Sequence, residues 1–234
     1  MYENYFIHFR KNPHWHADDK KIIKKMLQSI DRGVIYPLSQ RDAEGRKIVL
    51  LQLGKLDTSI DTSESLFSVN SEVYTQCQED EDTQIAGFVA IVDFTGFTLK
   101  LISVLSIADA RTIANNLSNA TPSRIKCIYI LNLPSFARVL LDVFKLALSD
   151  KLQKRLFFPK DLEELKSKFD AKLLPKELGG VTPEAEMIKE FQKTIKHNQK
   201  VRQQIYDTKF DMNMIPGKKT QEINIGSFRK LEID

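Results

Sequence analysis

The 234-residue chain predicts an α/β fold, a mainly parallel β-sheet covered by helices, and three observations carry that prediction. Residues 46–53, 85–94 and 125–131 are short apolar runs without polar alternation, the pattern of strands buried on both faces. Each run is followed by a stretch with helical spacing. Strands alternating with helices are the order of a parallel sheet with crossover helices.

The first helical run covers residues 18–30, where Ile22, Ile23, Met26, Leu27 and Ile30 share one face. Gly45 and Gly54 bracket the first strand, RKIVLLQL. Residues 62–78 follow with Leu66, Val69, Val73 and Cys77 at helical spacing. The second strand leads into a helix over residues 101–117, and the third into a long apolar helix opened by Pro134. A short fourth strand at 155–158 and an amphipathic helix at 161–169 extend the alternation. After Gly179-Gly180, Thr182 and Pro183 supply a cap and a first-turn proline for a last helix carrying Ile188, Phe191 and Ile195. From Tyr206 onward periodicity fades, and an extended tail wrapped on the surface is expected.

A net charge of +4 is too small to argue for nucleic acid, and no nucleic-acid partner is expected. Its distribution is more telling. Residues 57–82 hold eight acids and no Lys or Arg, whereas residues 124–172 hold eleven bases against six acids. No apolar run approaches the roughly 20 residues that span a bilayer, and the N-terminus lacks the order of a signal peptide. A cytoplasmic protein is expected, its Cys77 and Cys127 reduced and packed.

Motifs for covalent chemistry are missing. No glycine-rich loop links a strand to a helix, and no Gly-x-Ser-x-Gly elbow offers a nucleophile. His8, His14, His16 and His197 fall outside the predicted sheet. The two-residue spacing of His14 and His16 suits a solvated loop better than a metal site. Asp93 ends a strand without a phosphate loop beside it. No catalytic residue, metal or cofactor is expected, and the reading is not that of an enzyme.

The informative stretch is SFARVLLDVFKLALSDKLQKRLFF after Pro134. Arg138, Asp142, Lys145 and Ser149 form one polar stripe, while Leu140, Val143, Phe144, Ala147 and Leu148 make a broad apolar face. The pattern by itself suits a core helix first; the alternative is a movable lid over an apolar cavity that also enters a membrane interface. Lys151, Lys154 and Arg155 follow this helix, and Arg124 and Lys126 open the preceding strand. Clustered, these bases suit an anionic lipid headgroup; dispersed, they are a solvated face.

Several local sequences together resemble the CRAL-TRIO lipid-binding family, and within it the α-tocopherol transfer and retinaldehyde-binding branch. They are Val92-Asp93-Phe94-Thr95-Gly96-Phe97, Pro122-Ser123-Arg124-Ile125-Lys126, Asn132-Leu133-Pro134, residues 151–155, and Leu174-Pro175-Lys176-Glu177-Leu178-Gly179-Gly180. The ending from Gly226 to Asp234 is similar to that of insect members. The resemblance implies residues 1–33 as the remnant of an N-terminal helical module, 34–182 as the lipid-binding domain, and 183–234 as a C-terminal helix and tail. Relatives carry more of that module, with a further basic headgroup residue, and commonly a lid proline where this chain has Leu146.

By the same resemblance, Phe67, Asn70, Tyr74, Phe88 and Val92 line the ligand pocket, with Ile113, Leu117, Ile125 and Ile128 completing its wall. The lid comprises Leu140, Val143, Phe144 and Leu148. Arg124, Lys126, Lys151 and Arg155 match a phosphatidylinositol bisphosphate headgroup site. The implied partners are a small hydrophobic ligand and, transiently, a membrane surface bearing phosphoinositides. The implied activity is intermembrane transfer of a tocopherol-, retinoid- or similar lipid; the alternative is a phosphoinositide-binding module that transfers no lipid.

Overall fold

The structure, a computed structural model, describes residues 20–120 and 123–198, apart from the side chains of Lys20, Ile22 and Ala120. His8, His14, His16, Pro122 and the tail from Tyr206 lie outside the described residues.

Five strands stand side by side in chain order: β1 (Ile35–Arg41), β2 (Lys47–Gln52), β3 (Phe88–Asp93), β4 (Ile125–Leu131) and β5 (Leu156–Phe157). Pairings from β2 to β5 are parallel, and β1 joins β2 antiparallel, so the α/β reading with a mainly parallel sheet holds. Strand β1 is absent from the sequence-based expectation. Its sequence, IYPLSQR, has no continuous apolar run, and Pro37 is tolerated because β1 is an edge strand.

Among the described residues the α-helices are α1 (Lys20–Asp31), α2 (Ser63–Gln78), α3 (Glu81–Ala86), α4 (Ile107–Asn115), α5 (Arg138–Ala147), α6 (Asp150–Gln153), α7 (Leu162–Lys166) and α8 (Glu184–His197). A reciprocal capping box of Thr62 and Ser65 starts α2. Two acids of the acidic stretch are spent locally. Asp61 accepts from Ser29 Oγ and from Arg32 Nη2, each at 2.6 Å, pinning α1 to the entry of α2, and Asp80 caps α3. For α8, Pro183 occupies the cap position without a side-chain bond, and the Glu184 N–H donates to Glu177 Oε2 at 3.0 Å instead.

Two predicted helices are interrupted. The 101–117 stretch opens as a 3₁₀ turn, Leu99–Ser103, and becomes α-helical only where Ser106 and Asp109 form a second capping box. The apolar helix after Pro134 stops at Ala147, because Leu148 is extended (φ −78°, ψ 148°) and the Ser149 N–H goes to Ser118 Oγ at 2.9 Å rather than to the helix ladder.

At the carboxyl ends of the strands, Asp93 Oδ1 accepts from the Thr95 N–H, from Thr95 Oγ1 and from Asn132 Nδ2 at 2.9, 2.7 and 3.0 Å. Asn132 adopts φ 54°, a left-handed conformation that asparagine tolerates. The Asp93-Phe94-Thr95-Gly96 and Asn132-Leu133-Pro134 sequences therefore clamp β3 to β4. Gly54 belongs to the same packing: a Cβ there would meet the Thr95 carbonyl oxygen at 1.9 Å.

Candidate functional site

One face of the sheet, α2, α4 and α5 enclose an apolar cavity of about 220 Å³. A single water needs roughly 10–15 Å³ of such space, so the hollow exceeds a packing defect by an order of magnitude.

Strand register explains the floor. In the parallel pairing Leu51, Val92 and Ile130 share one row, and Ala90 and Ile128 share the next. All five line the cavity. Ile125 lines it too, although it is three residues from Ile128 and strict alternation would turn one of them away. The pairing jumps from Phe88↔Ile125 to Val89↔Cys127, a bulge that inserts one residue in β4 and brings both isoleucines to one face.

Helix α2 forms the side wall through Leu66, Phe67, Asn70, Ser71, Tyr74 and Thr75, ending at Gln78. This i, i+3, i+4 recurrence is one helical face, while Val69, Val73, Gln76 and Cys77 are buried on the other. Gln78 Nε2 donates to Ser123 Oγ at 2.8 Å, closing one end. Burial pushes the Tyr74 phenol upward, with the Cys77 thiol adding to the shift. From α4 and the turn after it come Ala110, Ile113, Asn116 and Leu117, and α5 covers the hollow with Leu140, Leu141 and Phe144.

Of the residues singled out for the pocket, all but Phe88 lie on this wall. Phe88 shares the row of Ile125 but is 1% exposed, its ring edge-on to Tyr74 at 4.8 Å. Of the lid residues, Leu140 and Phe144 line the cavity, and Val143 and Leu148 do not. Val143 sits about 100° around the helix from the Leu140–Leu141–Phe144 face. Leu148 lies past the helix end and packs into the core at 4% exposure. The outer face of α5 keeps two apolar side chains in solvent, Val139 and Leu146, the latter 84% exposed. Ala90, Ile130, Thr75 and Gln78 also line the cavity and follow from Val92, Ile128, Phe67 and Tyr74 by strand and helix periodicity.

Arg124 and Lys126 stand at the amino end of β4, and Arg155 directly precedes β5, the neighbouring strand. The backbone N–H of Ile128 donates to the Arg155 carbonyl at 2.8 Å, and the Arg155 guanidinium reaches the Ile125 carbonyl between Arg124 and Lys126. Arg124 Nη1 donates to the Ile85 carbonyl at 3.0 Å. Lys151 is exposed on α6, one turn before Arg155. Ser123 and Ile125, chain neighbours of Arg124 and Lys126, line the cavity end.

A second hollow of about 200 Å³ lies across α2, lined by Gln76 and Cys77 of that helix, Lys47 of β2, and Asp80, Glu190 and Thr194. Gln76 Nε2 donates to Glu72 Oε1 at 3.1 Å, and buried Gln76 Oε1 has no partner among the described residues. Burial lowers the Lys47 ammonium, with the Arg41 charge acting in the same direction.

Among the described residues no helix is long and apolar enough to cross a membrane. The chain is 30% identical over 172 residues to Clavesin-1 of Xenopus laevis, a match covering 73% of this chain and 51% of that protein. It is 28% identical over 184 residues to Clavesin-2 of Homo sapiens, covering 78% and 56%. The chain thus spans about half the length of these relatives. The crystal structure of Sfh5 superposes with a TM-score of 0.52 at 12% identity, over 67% of this chain and 58% of that one, a likeness of fold. The CRAL/TRIO domain model matches residues 31–180, more than half of the sequence, and the chain belongs to that family.

Proposed function

We propose that this chain is a non-enzymatic carrier that sequesters a small hydrophobic lipid of the tocopherol or retinoid kind and transfers it between membranes. The observation that carries the reading is the apolar cavity between the sheet, α2 and α5. Each 100 Å² of apolar ligand area withdrawn from water there contributes about 2.5 kcal/mol, so burial alone supplies useful affinity. No bond need be made or broken.

In this reading α5 is the gate. Leu140 and Phe144 close the cavity from within, and the exposed Val139 and Leu146 meet the acyl region when the protein sits on a membrane. Arg124, Lys126, Lys151 and Arg155 hold a phosphoinositide headgroup beside the cavity end; each base near an anionic surface contributes about 1 kcal/mol. The protein then works in the cytoplasm and docks transiently.

Solvent extraction of the purified chain followed by mass spectrometry tests the carrier role: a co-purifying or exchangeable apolar lipid is expected, and a chain that takes up none refutes it. Docking is tested separately with Lys151→Ala plus Arg155→Ala. Binding to phosphoinositide vesicles should fall about tenfold or more, with retention of loaded lipid in solution unchanged. Equal vesicle binding removes the headgroup assignment.

A further inference from the structure

Resting on the carrier reading, we infer that the cavity takes an uncharged, rigid lipid bearing two or more hydroxyl or carbonyl groups along one edge. A plain hydrocarbon, a fatty acid or a phospholipid is the poorer ligand.

The first ground is charge. Among the described residues lining the cavity there is no Asp, Glu, Lys, Arg or His. A carboxylate or phosphate drawn inside has no counter-ion, and an unpaired charge in such a place is excluded far more strongly than a neutral polar group.

The second ground is where the polar groups stand. The floor residues from β2, β3 and β4 are aliphatic, and the α5 residues are Leu140, Leu141 and Phe144. Hydrogen-bonding side chains are concentrated on α2, as Asn70, Ser71, Tyr74, Thr75 and Gln78. Beyond α2 only Asn116 and Ser123 contribute among the described residues, and the Ser123 hydroxyl already accepts from Gln78. The cavity is therefore polar along one side, not at one end.

Third, the spacing sets the ligand's shape. Asn70, Tyr74 and Gln78 follow one another at i, i+4 and i+8, steps of about 6 Å and a total of about 12 Å along the helix. The side chains of Asn70, Tyr74 and Thr75 have no hydrogen-bond partner among the described residues. Tyr74 is nevertheless 93% buried, being only 7% exposed. A hydrocarbon facing this row leaves those groups unmatched, whereas hydroxyl or carbonyl oxygens about 6 Å apart, the step from Asn70 to Tyr74, satisfy them. A rigid polycyclic skeleton holds such a spacing without the ordering cost of a flexible chain.

The test is a competition. The lipid-free 234-residue chain is equilibrated with vesicles containing equal amounts of cholesterol, a cholestanetriol, oleate and phosphatidylcholine, and protein-bound lipid is quantified by mass spectrometry. The triol should be retained at least about tenfold over cholesterol, a modest part of the discrimination that hydrogen-bonding sites reach, with oleate and phosphatidylcholine at background. Asn70→Leu with Thr75→Val should bring triol and cholesterol to within about twofold of each other. Cholesterol bound as well as the triol, preference for oleate or phosphatidylcholine, or an undiminished triol preference in a folded double variant overturns this inference and leaves the carrier reading standing. Uptake of none of the four also overturns this inference, and the carrier reading then stands or falls on the extraction experiment. Should the double variant fail to fold, the wild-type competition decides by itself.

Discussion

Helix α2 separates two hollows of similar size, about 220 and about 200 Å³, and their linings are opposites. The first has no charged side chain among the described residues; the second is built around Lys47, Asp80 and Glu190. Their positions in the sheet account for the difference. The second hollow lies where β1, α3 and α8 supply partners: Arg41 pairs with Asp80, and Ser39 donates to Glu190. The first is walled by strand middles and by helix faces that bring no opposing charge, so a charge placed there stays unpaired. An internal hollow is thus given its ligand class by what its neighbours can neutralise, more than by its volume.

The strongest way to break this contrast is to put a charge into the uncharged hollow. Phe144→Asp, on the half-buried cavity side of α5, should lower lipid retention about a hundredfold with far-UV circular dichroism unchanged. Normal retention in the folded variant would mean that α5 does not bound the ligand.

A smaller effect is expected from the other side of α2. Burial pushes the Cys77 thiol up to about 12 from its ordinary 9.0. The folded state therefore keeps a proton that the unfolded chain releases, so this contribution is whole below pH 9.0 and is lost as pH rises toward 12. Lys47, lowered by burial, works with the opposite sign: the unfolded chain holds more protons, and stability gains as pH rises toward 10.5. Melting temperatures of Cys77→Ala should accordingly decline less than those of wild type just above pH 9.0, before the raised Tyr36 and Tyr74 phenols contribute their own loss. Parallel profiles would contradict the burial of this thiol.

The finest test compares two neighbours on α5. Leu141→Ala removes cavity wall and should weaken retention several-fold, by about 2 kcal/mol at most, whereas Val143→Ala should leave it within about twofold. Equal effects would place the ligand-facing side of α5 elsewhere.

Much of the fold was legible in local pattern. The buried strands announced themselves as continuous apolar runs, and α2 and α8 as helical recurrences, because burial on a strand or helix imposes its own period. Strand β1 was illegible, since an edge strand paired on one side tolerates Pro37 and polar residues. The break after Ala147 was equally hidden. It depends on a hydroxyl, Ser118, that is 31 residues away in sequence from the N–H it accepts.

For the site, the sequence by itself determined which residue types were available: a broad apolar face on α5, Asn70 and Tyr74 among the apolar residues of α2, and bases at the start of β4 and before β5. Local periodicity and composition suffice for that, because they are properties of single elements. Only the tertiary structure decided that Ile125 and Ile128 face one cavity through a bulge, that Phe88 and Val143 do not, and that the lining carries no charge. Those facts depend on register and on which elements meet, and both are set by packing between segments far apart in the chain.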